Sequence, residues 1–94
     1  MRIYEGTFIF RPSLDDAGLE AEMTGVEELI KAEGGTIQEW DKWGKRRLAY
    51  EINYETRGDY MFLKFNSEGT ANAELDRFLR LDDKILRHLI VVDK

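Results

Sequence analysis

An α+β domain with element order β-α-β-β-α-β is predicted from this sequence on three observations. Four segments are rich in β-branched and aromatic residues, and between them lie two stretches whose apolar residues recur at helical spacing. The chain has 94 residues, 43% of them hydrophobic and 35% charged, with no linker or low-complexity stretch. That is enough apolar matter for one core and defines a single domain over residues 1–94.

The first strand is RIYEGTFIF, residues 2–10. Tyr4, Phe8 and Phe10 alternate with Ile3, Thr7 and Ile9, so both faces are largely apolar and the strand is expected in the centre of a sheet. RPSLDD then breaks it. Ser13, with Asp16 three residues on, resembles a capping box, and the acids suit the positive end of a helix dipole. Leu19, Met23, Val26 and Ile30 make the buried stripe of the first helix, whose outer face is acidic. Gly34-Gly35 ends it.

TIQEWDKW (36–43) and KRRLAYEI (45–52) read as extended, with Gly44 a bend or bulge between them. NYETRG (53–58) reads as a turn and DYMFLKF (59–65) as another strand apolar on both faces. NSEGT (66–70) is a loop into a second helix, where Ala71, Leu75, Phe78 and Leu79 form the stripe. KILRHLIVV (84–92) is the last strand.

This order is the ferredoxin-like split βαβ arrangement, a four-stranded antiparallel sheet. Right-handed crossovers place both helices on one face of it. With Tyr4, Phe8, Phe10, Met61, Leu63 and Phe65 toward the helices, the uncovered face carries Ile3, Ile9, Tyr60, Phe62, Leu89 and Val91. A bare apolar patch of this kind is an interaction surface, and Ile3, Tyr60, Phe62, Leu89 and Val91 are the candidate partner-binding residues.

Composition excludes several functions. Without cysteine there is no disulfide, thiol nucleophile or iron–sulfur cluster, which fits a reducing compartment. No apolar run reaches the ~20 residues of a membrane span. The N-terminus lacks a signal peptide's cleavage site, so a cytoplasmic protein is expected, with no membrane partner. The single histidine, His88, makes no metal site and is expected to be a strand residue with a satisfied ring nitrogen. No glycine cluster precedes a helix as a phosphate loop would. Asp15-Asp16 and Asp82-Asp83 are explained by helix-start and turn chemistry.

Two alternatives share the fold. Acylphosphatases bind phosphate in a loop after the first strand; here Arg11-Pro12 stands near that place, and proline removes a backbone donor that such a loop needs. RNA-recognition motifs stack bases on aromatics of the third strand. RGDYMFLKF (57–65) begins and ends like that signature, but Asp59 stands where an aromatic belongs and would repel phosphate, so base stacking on the sheet is not expected. No catalysis, cofactor, metal or small-molecule substrate is expected.

Charge is informative because it is uneven. The formal net charge is −5, and residues 13–33 hold seven acids and one base, Lys31. Yet Lys42, Lys45, Arg46 and Arg47 crowd beside the only two tryptophans, Trp40 and Trp43. Arg46 and Arg47, being neighbours on a strand, point to opposite faces. Arginine's planar fork suits phosphate. Arg2 begins the first strand, Arg80 ends the second helix and Arg87 lies in the last strand. The stretch KWGKRRLAY is expected to form a long hairpin arm that carries arginines to a phosphate backbone, anchored by the tryptophans.

Three motifs, MRIYEGTFIFRPSLD, GKRRLAYEI (44–52) and LRLDDKILRHLIV (79–91), resemble the bacterial small-subunit ribosomal protein six family over essentially the whole chain. One departure is Glu51, where that family commonly has proline after the tyrosine. The resemblance implies a structural, non-catalytic ribosomal protein that binds small-subunit ribosomal RNA in the central domain and forms a heterodimer with ribosomal protein eighteen. Carried over, Arg2, Lys45, Arg46, Arg47, Arg80 and Arg87 are the expected RNA contacts, and a basic partner would account for the acidity of the chain.

Overall fold

A computed structural model describes residues 2–92, the side chains of Thr70 and Ala71 aside; the expected place of Ala71 in the second stripe lies outside the described residues. The chain runs β1 (Arg2–Phe10), α1 (Asp16–Ala32), β2 (Thr36–Ile52), β3 (Glu55–Ser67), α2 (Gly69–Arg80) and β4 (Ile85–Val92). The sheet order is β2-β3-β1-β4 and every pairing is antiparallel. The two strands that are apolar on both faces, β1 and β3, are the two in the centre.

The expected inward set is buried in full. Tyr4, Phe8, Phe10, Met61, Leu63 and Phe65 meet Leu19, Met23, Val26 and Ile30 of α1 and Leu75 and Leu79 of α2. Phe78 departs from its expected stripe. It is 37% exposed, and its ring tip lies 3.5 Å from where a Cβ on Gly25 would stand. It therefore borders the helix pair instead of filling the core.

Two local differences and one expected bulge have clear causes. Asp15, not Ser13, caps α1, accepting the Gly18 amide at 2.8 Å. Pro12 and Ser13 are taken up by a turn closed by the Leu14 amide on the Arg11 carbonyl, as suits a proline at the second turn position. The two extended segments 36–43 and 45–52 are one strand, bent by a register shift between Lys42 and Gly44, where Gly44 has φ 81°. The turn is only Asn53-Tyr54, with φ of 49° and 66°, the two-residue hairpin geometry that matches strand twist. Residues 55–58 belong to β3.

Among the described residues, the second face of the sheet carries no helix. Its apolar residues are not all bare, however. Ile9, expected to be open, is buried in a small cluster with Leu48 and Leu86, with Ile52 and Tyr60 packed beside it. The arm formed by β2 and β3 thus closes over one end of the open face and leaves the other end uncovered. Among the described residues, no helix is long and apolar enough to cross a membrane.

Candidate nucleic-acid interface

The hairpin arm is built by pairing alone. Along β2 and β3, Lys45 stands opposite Asp59, Arg46 opposite Gly58 and Arg47 opposite Arg57. Pleating sends Lys45, Arg47, Arg57 and Asp59 toward the helix side and Arg46 toward the open side. Arg46 and Arg47 do point to opposite faces.

The basic residues of the opening stretch then divide by what holds them. Lys42 Nζ donates to Glu20 Oε1 of α1 at 2.9 Å, and that hydrogen bond and charge raise the Lys42 pKa. Lys45 Nζ lies 3.2 Å from Asp59 Oδ2. Arg46 caps the face of Trp43, its guanidinium carbon 5.1 Å from the ring centroid, and donates to the Trp43 carbonyl at 3.4 Å. Arg47 and Arg57 are exposed and have no ion pair among the described residues.

The tryptophans anchor opposite sides. Trp40 Nε1 donates to Glu27 Oε2 at 2.7 Å, and its ring lies 6.0 Å from that of Phe8, so it ties β2 to α1. Trp43 stands on the open face, 4.6 Å from the Phe62 ring, with Nε1 donating to Asp41 Oδ2 at 2.9 Å. Part of the acidic face of α1 therefore serves to hold the edge strand, and the net positive charge that survives is on the arginines.

The other expected contacts are scattered. Arg2 pairs opposite Ser67 at the far end of β1, about 25 Å from the arm by strand rise. Arg80 Nη2 is 2.7 Å from Asp76 Oδ2. Asp76 also meets His88 Nε2 at 2.8 Å; the His88 hydrogen bond, then the charge of Arg80, pull the Asp76 pKa down. Arg87 donates to the Tyr50 hydroxyl of the arm. The structure thus gathers Lys45, Arg46 and Arg47 in one place and adds Arg57, which the sequence reading placed in a turn. A groove of ≈ 640 Å³ is lined by these four and Trp43. Because Arg46 and Arg47 lie on opposite faces, this groove wraps the free edge of β2.

Asp59 is not on the open face. It is 4% exposed, on the helix side, beside Lys45, so it repels nothing that approaches the sheet. The reason not to expect base stacking on Phe62 is different: Trp43 already covers that ring. Arg11 donates to the Asp83 carbonyl at 2.6 Å and to Glu55 at 3.4 Å, which fixes it at the α2–β4 turn.

On the open face Ile3, Leu89 and Val91 are exposed, at 37%, 58% and 45%, and Val91 stands opposite Glu5. Tyr60 and Phe62 are half-buried, under the arm cluster and Trp43 respectively. A depression of ≈ 350 Å³ there is lined by Trp43, Phe62 and Val91 and by the carboxylates of Glu5, Glu39 and Asp41, with Lys64 among them. The candidate partner surface is therefore apolar at one edge and acidic beside it.

Fold and site together define a small ferredoxin-like α+β domain with one uncovered sheet face and a basic arm. Among known proteins, the sequence pattern of the family described as Ribosomal protein S6 matches residues 3–92. The small ribosomal subunit protein bS6 of Desulforamulus reducens is 41% identical over 91 residues, covering 97% of this chain and 96% of that one. That of Clostridium kluyveri is 44% identical over 91 residues with the same coverage. The crystal structure of 30S ribosomal protein S6 from Thermotoga maritima superposes with a TM-score of 0.91 at 31% identity, over 98% of this chain and 87% of that chain. The chain belongs to the ribosomal protein S6 family of the small ribosomal subunit.

Proposed function

We propose that this chain is a structural component of the ribosome in the cytoplasm, not an enzyme, and that it binds small-subunit ribosomal RNA of the central domain as a heterodimer with ribosomal protein eighteen. The observation that carries this reading is the separation of charge on an acidic molecule. Arg46, Arg47 and Arg57 line one groove at the sheet edge, whereas Glu5, Glu39 and Asp41 surround an apolar depression on the open face. A phosphate backbone suits the first surface and a basic protein with apolar anchors suits the second.

Arg46 and Arg47, with Arg57 beside them, form the core of the RNA surface. Arg2 and Arg87 contribute at its margins, and Lys45 and Arg80 contribute field more than contact, since each already has a carboxylate. Ile3, Phe62, Leu89 and Val91 take the protein partner, with Tyr60 supporting them from below. Phosphate contacts of this kind fix position without reading sequence.

The test is binding of a central-domain RNA fragment, measured with and without protein eighteen. Binding should be tighter with the partner, and Arg46→Glu with Arg47→Glu should weaken it by roughly tenfold or more at low salt. Leu89→Glu with Val91→Glu should prevent heterodimer formation while circular dichroism stays unchanged. Unaltered RNA affinity in the arm variant would remove the arm from the interface.

A further inference from the structure

Arg47 and Arg57 occupy directly opposed positions of an antiparallel ladder. Such residues have Cβ atoms about 5 Å apart, and like charges placed there destabilise the pair. A folded arm normally relieves this with a neighbouring carboxylate. On β3 the residues that share a face with Arg57 are Glu55 and Asp59, and both are committed elsewhere. Glu55 accepts from Arg11 at 3.4 Å, and Asp59 is held by Lys45 at 3.2 Å. The two arginines therefore start from opposed positions, both exposed, and neither has an ion partner among the described residues.

Resting on the RNA reading above, we infer that Arg47 and Arg57 form a two-pronged receptor for one phosphodiester of the RNA. An anion between them converts a repulsive pair into two charge-assisted contacts. The ladder fixes where the two side chains start, and each planar fork loses less freedom per hydrogen bond formed than a lysine would. The groove around the β2 edge leads the backbone past Arg46 on the other face, so the clamped phosphate sets the register of the strand that follows. Arg57 is in this view as much a contact residue as Arg47.

Two measurements on the full chain test it. The first compares melting midpoints in sodium phosphate and in sodium chloride at matched ionic strength. Phosphate should raise the midpoint of every variant by general salting-out, but the natural chain should gain more than the others, and this excess should vanish in both Arg47→Gln and Arg57→Gln. In chloride, Arg57→Gln itself should melt roughly 1–4 °C higher, because the repulsion is gone. The second is the salt dependence of binding to the central-domain RNA with protein eighteen present. Either substitution should reduce the slope of log K against log salt by about 1, and the double variant should be no worse than the single ones.

A wild-type salt slope in Arg57→Gln, alongside lost binding in Arg46→Glu with Arg47→Glu, overturns the receptor and leaves the RNA reading intact. Additive losses overturn it too, since they describe two independent contacts. If the natural chain binds no RNA but binds polyglutamate through the same pair, the RNA reading and the phosphodiester fall together.

Discussion

Lys45 Nζ lies 3.2 Å from Asp59 Oδ2 across directly paired positions of β2 and β3. Asp59 is 4% exposed, the one buried carboxylate among the described residues. This pair makes Lys45 part of the arm's attachment to the sheet before it is part of any external surface. Removing the lysine leaves a desolvated carboxylate without its partner, a loss larger than that of a surface ion pair. Lys45→Met should cost about 2 kcal/mol in urea unfolding. Asp59→Asn in the same chain should restore much of it. An equal loss in the single and double variants would show that the pair is not what holds the arm.

Gly58 tests the same attachment sterically. A Cβ there would stand 2.3 Å from Ile9 Cγ2 and 3.3 Å from Leu48 Cδ2. Ile9 is β-branched and sits in a central strand, so it cannot swing away cheaply. Gly58→Ala should destabilise by about 2–3 kcal/mol. Amide exchange should accelerate at residues 46–57 more than in β1 if the strain is relieved by lifting the arm. Unchanged protection throughout would mean the cluster of Ile9, Leu48 and Leu86 absorbs a methyl group.

How much of this was legible follows from where the signals are local. The α1 stripe and the inward alternation of β1 and β3 come from periodicity, and the structure buries those residues. Alternation with Met61 and Leu63 also puts Asp59 on the helix side; likeness to an RNA-recognition signature obscured that. The arm's register was not legible. Continuing the ladder from the Ile52–Glu55 pair would set Tyr50 opposite Arg57, but three residues of β2 are absorbed between Arg47 and Ile52. Only that slip brings Arg47 to Arg57, and no residue in AYEI announces it. Glu51, which stands in place of proline, falls in this slipped part of an edge strand, where a missing or present N–H matters little.

Glu22 gives a pH dependence of known sign. Its pKa is raised from 4.5 to about 7, first by burial, then by a hydrogen bond with Asp82 and by the charges of Asp82 and Asp83, with Lys84 opposing. Below about 4.5 the group is protonated whether folded or not and contributes nothing. Between about 4.5 and 7 the folded chain keeps a proton that the unfolded chain has lost, so folding weakens as pH rises. Above about 7 the penalty is constant. Melting curves across this range should therefore show Glu22→Gln gaining on the natural chain up to neutrality and then running parallel to it. A pH-independent difference would place the effect in packing.

The turn at Asn53-Tyr54 holds both residues at positive φ, 49° and 66°. Asparagine tolerates this conformation; a tyrosine Cβ crowds the following carbonyl, at a cost of roughly 1–2 kcal/mol. Tyr54 is 94% exposed, so its ring packs on nothing that would offset the strain. Tyr54→Gly makes the Asn-Gly dipeptide favoured in such hairpins. Glycine also adds freedom to the unfolded chain, so the net gain should be about 0.5–1 kcal/mol. It should appear as slower unfolding with an unaltered denaturant dependence. RNA binding through Arg47 and Arg57 should not fall, because the turn lies beyond the slipped segment. A fall would mean that Tyr54 itself reaches the ligand, stacking its exposed ring at the tip of the arm.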